Sequence, residues 1–186
     1  MKQKDFKAVA KCVCNDKSHK IMNHDITKVW CNKNHLYATN CFVMVGIKTD
    51  YPTEWENCVV STDQKNISKP TWKTWNKWTK YLLSKPKEKC INTFKLDKEL
   101  IEKGLELCKQ KNDIKYIRIN DAFFEKRNLK IILDLMKQYG IYKFQLYNYE
   151  TQNIRLFIKN ENITCTALAK FFSIEQIDKV NCSKWL

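Results

Sequence analysis

Three histidines, His19, His24 and His35, fall within 17 residues, with Cys12, Cys14, Cys31 and Cys41 around them. Thiolates and imidazoles are the usual tetrahedral ligands of zinc, so a metal site is the first chemistry this stretch raises. The spacing argues against it. No two cysteines are separated by two residues and no two histidines by three. Cys12 and Cys14 fall at a helix end, where side chains two apart diverge. A cysteine nucleophile paired with one of these histidines is the other chemistry on offer, and no motif supports it. Gly46, Gly104 and Gly140 are the only glycines, too few and too scattered for a phosphate-cradling loop. Neither a Ser-His-Asp order nor His-Glu-x-x-His occurs. The expectation is a protein that is not an enzyme, binds no metal and needs no cofactor.

The chemistry that does recur is cationic. The net charge is +14, from 34 basic against 20 acidic residues, and lysine far outnumbers arginine. Such a surface suits a polyanion. Lysine favours diffuse phosphate contact over bidentate base reading. An AT-rich coding sequence would also raise Lys, Asn and Ile together. Lys4, Lys7 and Lys11 recur along one helical face. Lys126, Lys130 and Lys137, with Arg127, do so on another. These are candidate phosphate contacts, against the plainer reading of solvated faces. Trp72, Trp75 and Trp78 are spaced three apart with lysines between them. One helical face of indoles can dock on a partner, and an extended loop of them can stack on bases. The plainer reading is a segment that covers the core, because Trp is mostly buried. Trp185 is a further candidate anchor, on a tail that is as readily frayed.

Positioning these residues takes helices and short strands. Phe6, Val9, Ala10 and Val13 carry a helical period over 4–14. Strands are expected at 26–31, 35–40 and 42–48, with a hairpin turn at Asn32-Lys33-Asn34. Residues 51–89, punctuated by Pro70 and Pro86, read as a connection with one or two helical turns. A strand at 91–96, a helix at 97–111 with Asp97 as N-cap, and a strand at 113–120 follow. Then come a short strand at 122–124 and a helix at 125–140, stopped by Gly140. Leu129, Ile132, Leu133 and Met136 form its apolar face. Strands at 142–148, 154–159 and 163–168 close the pattern. A helix followed by three antiparallel strands thus occurs twice, at 4–48 and 125–168, with a strand-helix-strand version between. Each unit would lay a helix on a sheet, so the fold class is α+β. The odd number of cysteines and the lack of an apolar N-terminal run point to free thiols in a reducing cytoplasm. Cys41, Cys108 and Cys165 read as small core residues.

One stretch of this pattern is informative. A helix, a β-hairpin and then Ala38-Thr39-Asn40 leading into another strand resembles the N-terminal half-domain of bacterial DNA polymerase III β sliding clamps. It is closer still to their short relatives in phages and plasmids. The helix at 125–139 followed by KFQLYNYETQNIRLFIKNENITCTAL (143–168) resembles the closing half-domain, through Ile158-Lys159 and Asn162-Ile163-Thr164. There are departures. Cys41-Phe42 stands where the family has Gly-His, and Ala169-Lys170-Phe171-Phe172 replaces its Met-Pro-Met ending. The middle unit lacks its final hairpin, and the Trp-rich segment has no counterpart.

The resemblance implies a repeated, DNA-clamp-like architecture. Residues 1–50 would be an N-terminal half-unit and 51–89 a connection. Residues 90–168 would hold clamp-like units with two helices, and 169–186 a tail. It also implies duplex DNA held without sequence preference by Lys4, Lys7, Lys11, Lys126, Arg127, Lys130 and Lys137. A polymerase or other replication protein would be recruited, and several copies would be needed to close a ring, as a homo-oligomer. The alternative is a clamp-derived module that binds a host or self-encoded protein through Trp72, Trp75, Trp78 and Trp185.

Overall fold

A computed structural model describes residues 3–14, 24–71, 75–149, 153–177 and 179–186. The chain divides into two units. One is Met1–Lys85 with Lys159–Thr166; the other is Pro86–Ile158 with Ala167–Leu186.

In the first unit, helix α1 (Gln3–Ala10) buries Phe6 and Val9 completely. It ends one turn earlier than its apolar period, and Val13 is buried in the irregular segment beyond. Strands β1 (Val29–Asn32) and β2 (His35–Thr39) form the expected hairpin. Lys33 and Asn34 both take positive φ, 49° and 57°, which matches the twist of a two-residue turn. Strand β3 (Val43–Lys48) pairs with β2. Strands β4 (Cys58–Val60) and β5 (Ile67–Ser68) extend the other side, and residues 163–166 of β11 (Ile163–Leu168) lie beyond β3. The order is β5-β4-β1-β2-β3-β11. Residues 51–85 are therefore part of the unit, where a connection was expected. They supply β4, β5, helix α2 (Trp75–Leu82) and Trp55, whose ring lies 5.5 Å from Phe6.

Alternation along β2 turns Leu36 and Ala38 to one face and His35 and Tyr37 to the other. Trp75 of α2 stacks on Trp30, which packs against Tyr37, so α2 covers the Tyr37 face. Cys12, just past α1, lies beside Cys165 of β11 on the opposite face. The sheet is thus held between two helices, α1 on one face and α2, through Trp75, on the other.

In the second unit, β6 (Cys90–Lys95), β9 (Lys143–Tyr149) and β10 (Asn153–Lys159) run antiparallel in the order β6-β9-β10. A smaller sheet orders β12 (Cys182–Lys184), β7 (Tyr116–Ile119) and β8 (Ala122–Glu125), with β12 parallel to β7. Helix α3 (Lys98–Lys109) starts at Asp97, whose carboxylate accepts from the Leu100 N–H at 2.8 Å. Helix α4 (Lys126–Tyr139) ends at Gly140, φ 63°, in the left-handed conformation that favours glycine. Leu129, Ile132, Leu133 and Met136 are fully buried, as their spacing requires. The two helices approach closely at Gly104. A Cβ there would lie 2.8 Å from the Trp185 ring and 2.9 Å from Leu133. A one-turn helix, α5 (Ile174–Ile177), precedes β12. Arg155, 1% exposed, lies 3.7 Å from Glu88, a buried ion pair that the strand pattern of β10 does not reveal. Each unit packs helix on antiparallel sheet, the α+β class expected. Among the described residues no helix is long and apolar enough to cross a membrane.

Candidate nucleic-acid interface

The sequence placed seven cations on two helical faces. On the first unit, Lys4, Lys7 and Lys11 are all exposed, opposite Phe6 and Val9. The only acid in α1, Asp5, is buried, so no carboxylate of the helix shares that face. The cations of α4 are differently placed. Lys126 donates to the Gln110 carbonyl at 3.2 Å and to Asn112. Lys130 pairs with Asp134 at 2.7 Å, one turn along. Lys137 pairs with Glu102 of α3, whose hydrogen bond holds the ammonium above the usual lysine range. Arg127 is exposed and has no acidic partner among the described residues. On α3, Glu99 takes Lys103 in the same way. These pairs are exposed or half-exposed and weak, so a phosphate can compete for the lysines.

The tryptophans are used internally where the structure describes them. Trp75 is 1% exposed and stacks on Trp30 at 5.4 Å. Burial of this indole removes it as a partner anchor. Trp185 stacks over Phe144 and its indole N–H donates to the Leu100 carbonyl at 3.2 Å, so this end of the chain is docked on its own unit. Trp72 lies outside the described residues; Trp78 falls on α2, and its side chain is not described. His19 also lies outside them. Among the described residues no three His, Cys, Asp or Glu side chains are grouped to hold a metal. Burial pushes the Cys12 and Cys31 thiols up to about 12, which keeps both protonated and poorly nucleophilic at neutral pH. None of the nine cysteines is in a disulfide. Cys165 is buried as expected and Cys108 is half-buried. Cys41 is not a core residue: it is exposed in the β2–β3 turn with φ 75°.

That turn explains the Ala-Thr-Asn element. Thr39 Oγ1 donates to the Val43 carbonyl at 2.9 Å and accepts from the Cys41 N–H at 3.0 Å. Asn40 Oδ1 accepts from the N–H groups of Phe42 and Val43, at 3.0 and 2.7 Å. Asn160 does the same at the turn into β11, accepting from Asn162 and Ile163 at 2.9 and 3.0 Å. Both turns use one asparagine to satisfy the same two donors. The repeat seen as a pattern of elements is thus also a repeat of hydrogen bonds.

Solved structures share this architecture. The DNA polymerase III β subunit of Borrelia burgdorferi superposes with a TM-score of 0.54 over 93% of this chain and 64% of its own, at 13% identity. The fold is that of the bacterial β clamp. The β clamp of Helicobacter pylori, solved with a DNA ligase peptide, matches with a TM-score of 0.54 over 90% of this chain and 62% of its own, at 13% identity. The Thermotoga maritima β subunit gives 0.50 over 92% and 64%, at 10% identity. The chain thus spans less than two thirds of the length of these clamps. No protein-family model matches the sequence, and no curated protein does. The likeness agrees with the resemblance carried by Ala38-Thr39-Asn40 and residues 143–168. The clamp fold tolerates Cys41-Phe42 because the turn is held by Thr39 and Asn40.

Proposed function

We propose that this protein is a sliding-clamp-like, DNA-associated protein with no catalytic step of its own. It holds duplex DNA through lysine–phosphate contacts and recruits a replication or repair protein. The observation that carries this reading is the exposed row of Lys4, Lys7 and Lys11, along and just past helix α1 of a clamp-fold chain. Lys126, Arg127, Lys130 and Lys137 on α4 add a second row, three of whose members exchange an internal partner for phosphate. Contacts of this kind carry no sequence information, which suits a protein that must move along DNA. A clamp that takes a DNA ligase peptide supports recruitment of a partner protein by this fold. Encircling DNA would take several copies, as a homo-oligomer, and the site of action would be the cytoplasm.

The test is a duplex-DNA titration over a range of salt. Each phosphate neutralised releases counterions, so log K should fall against log[salt] with a slope of about −3 or steeper for a row of three lysines. Lys7→Glu with Lys11→Glu should weaken binding more than tenfold and flatten that slope. Binding that is absent at low salt, or indifferent to salt, would refute the proposal.

A further inference from the structure

The first unit holds a cleft of about 900 Å³ on the sheet face that α2 covers in part. Its cations are Lys33, Lys48, Lys80 and Lys159, with His35 beside them; among the described residues Glu161 is the only carboxylate lining it. Lys33 is shared, because its charge also helps to hold the neighbouring Glu56 carboxylate low. A concave site with four ammonium groups against one carboxylate concentrates anions.

The floor of this cleft is aromatic, and it continues inward. Trp75 stacks on Trp30 at 5.4 Å, Trp30 packs on Tyr37 at 5.1 Å, and Tyr37 stacks on His35 at 5.6 Å and 13°. Four rings thus form a ladder from the core to a half-exposed imidazole among the cleft residues. Gly46 makes room for it, since a Cβ there would lie 2.9 Å from the Tyr37 ring and 2.8 Å from Leu83. The His35 ring is fixed in turn, with Nδ1–H donating to the Lys33 carbonyl at 2.8 Å. Stacked rings beside a lysine rim are the two features that bind bases and phosphates together. An acidic peptide would use the rim and leave the ladder without a role.

We infer that this cleft is a binding site for phosphorylated nucleosides, with the base stacked at the His35 end of the ring ladder and the phosphates among Lys33, Lys48, Lys80 and Lys159. The site is separate from the α1 row, which lies on the other side of the sheet, and it stands whether or not that row binds duplex DNA. The same chemistry is offered by a free nucleotide and by an unpaired DNA strand.

Calorimetric titration with dTTP, the tetranucleotide (dT)4, inorganic triphosphate and hexaglutamate tests it on the unaltered protein. dTTP is expected to bind at least tenfold more tightly than inorganic triphosphate or hexaglutamate. A further gain from dTTP to (dT)4 assigns the cleft to a strand, and equal affinity assigns it to a free nucleotide. Lys48→Glu with Lys159→Glu should weaken dTTP more than tenfold, while the equal charge change Lys65→Glu with Lys69→Glu, away from the cleft, should not. His35→Ala should weaken dTTP about fivefold and leave triphosphate unchanged. Lys7→Glu with Lys11→Glu should leave dTTP within twofold, even where it abolishes duplex binding. Equal affinity for dTTP and triphosphate, an equal loss in the Lys65/Lys69 variant, or no binding of dTTP would overturn the inference.

Discussion

At the scale of the residue, a few side-chain hydrogen bonds hold the turns of the first unit. Asn40 Oδ1 takes two backbone donors at the β2–β3 turn, and Asn160 repeats the arrangement at the turn into β11. Asn40→Ala leaves both donors to find other partners and should cost about 1–2 kcal/mol in denaturant unfolding. Asn40→Asp keeps the acceptor and should cost less. A second bond braces the β1–β2 turn from outside. The Tyr51 hydroxyl donates to Glu56 at 2.5 Å and accepts from the Asn34 N–H at 3.2 Å, while Glu56 accepts from the Lys33 N–H at 3.1 Å. The hydrogen bond from Tyr51 holds the Glu56 carboxyl below its ordinary range. A carboxyl lowered in the folded state stabilises most above its unfolded value and loses that contribution as pH falls through its folded value. Tyr51→Phe should therefore cost about 1 kcal/mol at pH 7, and the difference from the unaltered protein should shrink below about pH 4. A penalty that does not change with pH would mean the tyrosine acts by packing alone.

At the scale of the element, α3 and α4 meet at a position where only glycine fits. Gly104→Ala should gain a little helix propensity but lose more to overpacking against Trp185 and Leu133, a net loss of about 1–2 kcal/mol. In a Trp185→Ala background the same change should be close to neutral or favourable, because the void accepts the methyl group. A thermal-unfolding double-mutant cycle measures this coupling, and simple additivity would show that the two residues do not compete for space. Elements of this kind were legible in the sequence. The stripe Leu129, Ile132, Leu133 and Met136, the Asp97 cap and the Gly140 stop each act within one helix, so local spacing is enough to find them. Residues 51–85 were not. Strands β4 and β5 have three and two residues, too short for alternation to show; β4 depends on β1 for its pairing, and β5 on β4. The candidate site divides the same way. The lysine rows follow the helical period, whereas the pairing of Lys137 with Glu102 and of Lys126 with Gln110 and Asn112 joins residues far apart in sequence. The His35–Tyr37–Trp30–Trp75 ladder was hidden because it crosses two strands and a helix.

At the scale of the whole molecule, each of the two units carries a row of lysines along a helix. The α1 row is exposed and shares its helix face with no acid, and the α4 row is mostly engaged by internal partners. Lys7→Glu should therefore weaken duplex binding more than Lys130→Glu does, and Asp134→Asn should strengthen it a few-fold by releasing Lys130. The central claim is that a clamp-fold chain with this charge holds duplex DNA through phosphates alone. The measurement that tests it most directly is the affinity of the protein for two duplexes of unrelated sequence, followed from low to moderate salt. The account predicts equal affinity for the two duplexes and a log–log salt slope of about −3 or steeper, reduced in the Lys7→Glu, Lys11→Glu variant. No binding at low salt, or a strong preference for one sequence with little dependence on salt, would contradict it.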